Sequence, residues 1–291
     1  MYAITGATGQ LGRLALEELL ARVPAAEVVA LVRDPAKAAD FAARGVTLRI
    51  ADYDKPETLA PALEGVTKLL FISANEIGRR APQHLALVAA AKAAGVGFVA
   101  YTSLLRADTS ALDLAAEHRV TEAALAESGI PHALLRNGWY TENYAASIAP
   151  ALAHDAFLGA AGEGRIASAA RADYAAAAAA VLAAAEDQAG KIYELAGDDA
   201  YTLAEFAAEI ARQSGKPVVY KDLPETDYAK ILEGAGLPAP FAALFAESDA
   251  KAARGALFDD SHTLSALIGR PTTPYAETIA ATLATLAAPA A

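Results

Sequence analysis

The chain has 291 residues, no cysteine and a formal net charge of -11 at pH 7. That length holds one large domain, or a domain of about 150 residues with a second lobe. The lack of cysteine excludes disulfides, thiolate catalysis, iron–sulfur clusters and Cys-ligated zinc, and an acidic chain is not a general binder of nucleic-acid backbone, which needs a basic face.

The first apolar run, residues 2–5, follows Met1 directly and leaves no room for a basic stretch and an apolar signal region, so a cytoplasmic location is expected. Further strand-like runs occur at 28–32, 46–50, 69–72, 98–102 and 133–135, with helical stretches between most of them. Pro35 and Pro56 stand near helix starts, and Gly45, Gly65, Gly95 and Gly129 stand after helix ends. Repeated strand–helix–strand units predict an α/β fold, a Rossmann-type doubly wound parallel sheet covered on both faces.

After about Asn137 the alternation loosens into a smaller, mostly helical C-terminal lobe, with strand candidates at 191–195 and 218–221. The expected division is a Rossmann domain over 1–136 and a substrate-side lobe over 137–291, with some segments of the lobe returning to the sheet. GAGLPAPF and GRPTTPY suit loops of a cap over a cleft. ADYAAAAAAVLAAAE is short of the roughly 20 apolar residues of a membrane span and is expected to be a helix packed closely on a neighbour. No membrane partner is expected.

Between the first strand and the first helix lies GATGQLG. In this setting Gly6 makes the tight turn, Gly9 lets the backbone approach a pyrophosphate and Gly12 lets helix and strand pack closely. The helix start then offers unpaired N–H groups and partial positive charge to the phosphates. At the end of the second strand an acid favours NAD and an arginine favours NADP; here Arg33 stands about 20 residues beyond Gly12, with Asp34 and Lys37 beside it. NADP(H) is therefore expected, with NADPH preferred over NADH, although Asp34 is compatible with NADH and an exposed charged turn is the plain alternative. At the ends of later strands, Asp52 and Tyr53 are placed to border the adenine, and Ser73, Ala74 and Asn75 to line the crevice.

Taken together, GATGQLG, LVRDPAKA, ADY, YTSLL, LLRNGWYTENY, LAGDD and ALFDDS resemble the NmrA-like branch of the atypical short-chain dehydrogenases, and within it the bacterial type 2 NAD(P)H:quinone oxidoreductases. The resemblance runs over nearly the whole chain. It implies a Rossmann domain, a small C-terminal lobe and NADPH in the cleft between them. Carried over by position, it implies cofactor contacts from Gly6, Ala7, Thr8, Gly9, Gln10 and Leu11, from Arg33, from Ser73, Ala74 and Asn75, and from Asn137, Gly138, Trp139, Tyr140, Thr141 and Glu142.

Ordinary short-chain dehydrogenases move the alcohol proton with a Tyr followed four residues later by Lys. None of the eleven tyrosines has Lys at that spacing; Leu114 and His118 stand where the pair would align. Carbonyl-to-alcohol reduction is therefore disfavoured. A quinone suits the chain better, because the cofactor supplies the hydride and protons come from water. No side chain is assigned a catalytic proton transfer; the protein's task is to position a flat acceptor.

Tyr140, Asn143 and Tyr144 are the candidates for holding that acceptor, with Trp139 in the same loop, set against a purely structural aromatic cluster. Ser103 ends the fifth strand without a nucleophile elbow around it and is expected beside the nicotinamide. His118 either meets substrate or a ribose hydroxyl, or is a packed residue. The other histidines, His84, His132, His154 and His262, show no ligand spacing, and no metal is expected. Two rival functions share this fold and cofactor: a redox-sensing regulator that binds NADP(H) without turnover, and a reductase of triarylmethane or azo dyes.

Overall fold

The computed structural model describes residues 1–288. The elements run in chain order as β1 Tyr2–Ile4, α1 Gln10–Leu20, β2 Val28–Val32, α2 Ala39–Ala43, β3 Thr47–Ile50, α3 Leu59–Ala62, β4 Lys68–Phe71, α4 Arg80–Ala93, β5 Phe98–Leu104, α5 Ala115–Ser128 and β6 His132–Asn137. There follow α6 Thr141–Ala145, α7 Ile148–His154, β7 Ala156–Gly159, α8 Arg171–Ala183, β8 Ile192–Leu195, α9 Leu203–Ser214, β9 Val219–Asp222, α10 Glu225–Gly234, α11 Ala239–Ala252, α12 Thr263–Ile268 and α13 Tyr275–Ala287.

The chain forms two compact units. Among the described residues the first comprises Met1–Asp108, Ala115–Asn137 and Arg171–Glu194; the second comprises Thr109–Leu114, Gly138–Ala170 and 195–288.

The first unit is built on a seven-stranded sheet in the order β3-β2-β1-β4-β5-β6-β8. Every pairing from β3 through β6 is parallel, for example Ala3 with Val29 and with Leu69. The strands β2 and β5 are buried along their whole length, as expected of a sheet covered on both faces. Strand order reverses direction between β1 and β4, and in such sheets ligands bind outside the carboxyl ends at that switch point.

Helix α1 buries Leu11, Ala15, Leu16 and Leu19, a spacing that puts them on one face. The alanine-rich α8 packs against α1; its run of buried alanines lets two helices approach closely where larger side chains would hold them apart. Lys68 donates to the Ala184 carbonyl at 2.8 Å, placing a cation at the end of α8.

The second unit is mostly helical, with one two-stranded parallel sheet, β7-β9. Strand β7 has no counterpart among the sequence-based candidates: it is four residues long, lies between helical segments and acquires its partner from β9 far along the chain. Helix α9 starts with a capping box in which Thr202 Oγ1 accepts from the Glu205 N–H at 3.1 Å and Glu205 accepts from the Thr202 N–H at 2.7 Å. It buries Leu203, Phe206, Ala207 and Ile210. Among the described residues no helix is long and apolar enough to cross a membrane.

Candidate functional site

At the switch point of the first unit, side-chain hydroxyls tie neighbouring strand ends together. Thr5, at the end of β1, accepts from the Ile72 N–H at 2.9 Å, and Thr102 on β5 accepts from the Ser73 N–H at 2.9 Å. These hydroxyls join the carboxyl ends of β1, β4 and β5, so the glycine turn after β1 and the Ser73–Ala74–Asn75 segment after β4 border the same crevice.

Gly6 has φ +59°, a left-handed conformation that glycine adopts without a side-chain penalty. Its carbonyl accepts from the Gly9 N–H at 2.9 Å, closing the turn. Gly9 is the N-cap of α1 and provides no side-chain cap, and the first turn of α1 holds no acid. The leading N–H groups of α1 therefore face the crevice without a carboxylate or hydroxyl from the protein to satisfy them. Ala7 and Leu11 are buried, Thr8 is half-buried, and Gly6, Gly9 and Gln10 are exposed.

A Cβ on residue 12 would lie 2.1 Å from the Gly6 carbonyl oxygen and 2.9 Å from the Ala7 Cα. Gly12 is thus required by the approach of α1 to the turn itself, and not by the helix–strand packing expected from the motif.

At the end of β2, the Arg33 side chain is 67% exposed and its guanidinium lies 3.7 Å from Glu76. The Asp34 carboxylate accepts from the Ala36 N–H at 3.0 Å and caps a 3-10 turn over Pro35–Ala38. Both charges at this position are exposed, and the Asp34 carboxylate is the one engaged by a main-chain N–H. Asp52 accepts from the Asp54 N–H at 3.1 Å, and Tyr53 donates to the Ile72 carbonyl at 3.4 Å with its ring beside Phe71.

The segment after β4 is held from beneath. The Ala74 N–H donates to Nε2 of the buried His84 at 2.9 Å, and the Ala74 carbonyl accepts from Arg80 Nε. Burial, and then the nearby Arg80 charge, push the His84 pKa down to about 3, so the ring is neutral.

At the end of β6, Arg136 is buried and paired with Glu122 at 2.7 Å, Glu194 at 2.9 Å and Asp108 at 3.0 Å. The hydrogen bonds to Glu122 are the leading reason its pKa is raised. Ser103 belongs to this network: its hydroxyl donates to Glu122 at 2.5 Å and is buried. The hydroxyl expected beside the nicotinamide thus has its hydrogen engaged by Glu122. Next to Arg136, Asn137 is buried and its Oδ1 has no hydrogen-bond donor among the described residues. An unpaired buried acceptor costs about 1–3 kcal/mol unless a ligand satisfies it.

His118 is a core residue. It is buried, Nδ1 lies 2.8 Å from the Tyr101 hydroxyl, and burial first and then the Arg80 charge hold its pKa well below the usual histidine value. Neither partner is a lysine, and no Tyr–Lys relay is assembled here.

The segment Gly138–Tyr144 belongs to the second unit, and the structure sorts its side chains. Trp139 is buried edge-on against Phe245, with ring centroids 5.8 Å apart. Thr141 is buried with its hydroxyl 2.8 Å from Ser168 Oγ, which in turn lies 2.5 Å from the Tyr201 hydroxyl. Tyr144 is buried, its hydroxyl donates to Asp249 Oδ1 at 2.8 Å, and its ring packs near Phe206. The expectation that Tyr144 offers a face to an acceptor is therefore corrected: the ring is consumed by the core. Tyr140, Glu142 and Asn143 are half-buried, with Tyr140 at the N-cap of α6 and the Asn143 N–H donating to its carbonyl at 3.0 Å. Tyr140 precedes the helix with an extended backbone, and Asn143 lies within it.

A dinucleotide fits these residues. The turn is shaped by glycines that a Cβ would fill, the α1 N–H groups lack a protein acceptor, Arg33 is exposed and Asn137 Oδ1 lacks a donor. Among the described residues no cluster of three or more His, Cys, Asp or Glu is placed to hold a metal.

Comparisons with known proteins agree with this geometry. The NmrA-like family model matches residues 2–267. Quinone oxidoreductase 2 of Escherichia coli strain K12 is 59% identical over 279 residues, covering 96% of this chain and 97% of that protein. The crystal structure of an NADPH-dependent quinone oxidoreductase from Escherichia coli in complex with NADPH superposes with a TM-score of 0.94 at 58% identity, covering 97% of this chain and 100% of that one. The Citrobacter sp. triphenylmethane reductase in complex with NADP(H) superposes with a TM-score of 0.92 at 37% identity, covering 97% of this chain and 100% of that one.

Proposed function

The chain belongs to the NmrA-like family, and from that premise we propose that it is an NADPH-dependent quinone oxidoreductase. The observation that carries this reading is a glycine turn and bare helix start at the sheet's switch point, in a chain so similar over its length to a quinone oxidoreductase. When bound, NADPH supplies a hydride, and the quinone takes it together with one proton from water to become the hydroquinone.

The residues of this chain bind and orient. Gly6, Ala7, Thr8, Gly9, Gln10 and Leu11 bring main-chain N–H groups and the α1 dipole to the pyrophosphate. Arg33 holds the 2′-phosphate, exchanging its solvent-exposed contact with Glu76 for a doubly charged partner. Ser73, Ala74 and Asn75 line the middle of the cofactor, and the segment from Asn137 to Glu142 completes its binding. Asn137 Oδ1 takes the donor it lacks from a cofactor hydroxyl or amide. No side chain is assigned a proton transfer, since a quinone equilibrates protons with solvent.

On the acceptor side, Tyr140 and Asn143 hold the ring, one by its face and the other by a hydrogen bond, while Trp139 and Tyr144 support them from the core. The likeness to triphenylmethane reductase favours a tolerance for other flat conjugated acceptors. A cytoplasmic location belongs to the same proposal, because reduced nicotinamide cofactor is available there.

The test is steady-state NADPH oxidation against benzoquinones, naphthoquinones, triarylmethane dyes and azo dyes. Quinone-dependent turnover is expected. NADPH binding with no acceptor reduced would overturn the enzyme and leave the redox-sensing reading.

A further inference from the structure

We propose that His84 is a positioning residue for the cofactor, acting through the peptide of Ala74. The inference rests on the reading that Ser73, Ala74 and Asn75 line the cofactor crevice. It concerns residues on α4 and α5 that carry no recognisable motif and touch no expected ligand.

The geometry is a two-helix clamp. On α4, Arg80 and His84 stand one turn apart and hold the two peptide groups that flank the Ala74 Cα: Arg80 Nε donates to the Ala74 carbonyl and His84 Nε2 accepts from the Ala74 N–H at 2.9 Å. On α5, Glu117 and Thr121 also stand one turn apart and hold α4 in turn. Glu117 accepts from the Arg80 N–H at 3.1 Å and from the Gly78 N–H at 3.3 Å, and Thr121 Oγ1 lies 2.8 Å from His84 Nδ1.

Proton placement follows without ambiguity. Nε2 faces an N–H donor and must be the bare nitrogen, so Nδ1 carries the hydrogen and donates to Thr121. Thr121 then passes its own hydrogen to the Glu117 carbonyl at 3.0 Å. The hydrogen bonds from the Ala74 N–H through His84 and Thr121 to the Glu117 carbonyl then all run in one direction, and the imidazole has a single tautomer.

A buried histidine is an expensive way to fill space between Phe71 and Tyr101, whose ring centroids lie 4.7 and 5.9 Å from its own. Phe or Leu would pack there without polar atoms to satisfy. What only a ring nitrogen supplies at this point is an acceptor for one peptide N–H at the mouth of β4. Fixing the Ala74 N–H, in the Ser73–Ala74 peptide, and the Ala74 carbonyl, in the Ala74–Asn75 peptide, fixes the direction of Ser73 and Asn75 on either side, so the crevice is ordered before the cofactor arrives.

The experiment compares the parent with His84→Phe, which keeps a ring against Phe71 and Tyr101 and deletes both nitrogens, and with His84→Gln, whose amide can accept from Ala74 and donate to Thr121. NADPH affinity is read by fluorescence titration, alongside thermal unfolding and hydrogen exchange at the Ala74 amide. His84→Phe should fold cooperatively, lose about tenfold or more in NADPH affinity, a loss of the size expected for one buried hydrogen bond, and exchange the Ala74 amide faster. His84→Gln should recover most of both. Should His84→Phe fail to fold, Thr121→Val removes the Nδ1 partner, leaves the ring in place and should show the same loss in smaller measure. Unchanged NADPH affinity in whichever of the two folds, or no recovery in His84→Gln, overturns the clamp. A parent that does not bind NADPH at all overturns the functional reading on which the clamp rests.

Discussion

The Tyr144 hydroxyl donates to Asp249 Oδ1 at 2.8 Å, and the other oxygen of that carboxylate accepts from the Ala160 N–H at 3.1 Å. This joins α6, which follows Tyr140, to α11 and β7. Burial raises the Asp249 pKa from 3.8 to about 6, against the opposing effect of the Ala160 and Tyr144 hydrogen bonds. Because the folded value lies above the unfolded one, the folded state binds the extra proton between them, and stability falls as pH rises through this window. The penalty is absent below the unfolded pKa and complete above the folded one, where it amounts to about 3 kcal/mol. Asp249→Asn should remove this slope, so the difference in Tm between parent and variant should change across pH 4 to 6. Parallel Tm–pH curves over that range would show that Asp249 does not titrate as its burial implies.

The glycine turn separates folding from binding at two positions three residues apart. Gly12→Ala places a Cβ on the Gly6 carbonyl and should destabilise the protein by at least the roughly 1–3 kcal/mol typical of overpacking. Gly9 meets that same carbonyl at 3.2 Å, which a small shift relieves. Gly9→Val should therefore remain folded and lose NADPH binding, because its branched side chain stands where the pyrophosphate meets the backbone. Thermal unfolding and NADPH titration of both variants check this; a folded Gly9→Val that binds NADPH as the parent does would place the phosphates elsewhere.

Arg33 should decide cofactor choice. A charge-assisted contact to phosphate contributes about 1.5–3 kcal/mol, so the parent should bind NADPH tenfold or more tighter than NADH and Arg33→Ala should erase most of that ratio. Asp34 is tied to the Ala36 N–H and should not take over the role of a ribose-binding acid. Calorimetry showing equal affinities for the two cofactors in the parent would refute the assignment.

Two tyrosines, one at the N-cap of α6 and one within it, should behave oppositely. Tyr140→Ala should lower quinone turnover or raise the quinone KM while NADPH affinity changes little. Tyr144→Phe removes the donor to a buried carboxylate and should cost about 1–3 kcal/mol of stability, with quinone turnover retained below the new Tm. Equal kinetic effects from both would mean that the sorting of this segment into core and open faces has no functional content.

A last prediction follows from the missing proton relay. Oxidation of secondary alcohols with NADP+ needs a base to take the proton as hydride leaves, and such a base typically contributes about 10² to 10⁴ in rate. Tyr101 has His118 as its hydroxyl partner, both buried. Quinone reduction should be rapid and alcohol oxidation negligible in the same preparation; efficient alcohol oxidation would reveal a relay elsewhere.

What the amino-acid sequence determined by itself is what depends on residues near one another along the chain. The turn from β1 into α1, the alternation of strands and helices from Val28 to Asn137, the cation at Arg33 and the missing Tyr–Lys spacing all arise from local conformation and from periods of two and 3.6 residues. Only the tertiary structure decided features whose partners lie far apart. Strand β7 exists because β9 lies alongside it, and α8 belongs to the first unit because its alanines fit against α1. The Ser103 hydroxyl faces Glu122, the Tyr144 hydroxyl faces Asp249, and the His84 imidazole faces Ala74. A hydroxyl or an imidazole carries no mark in the sequence of which partner it will meet, because burial and hydrogen bonding are set by the packing of elements and not by the residues next in line.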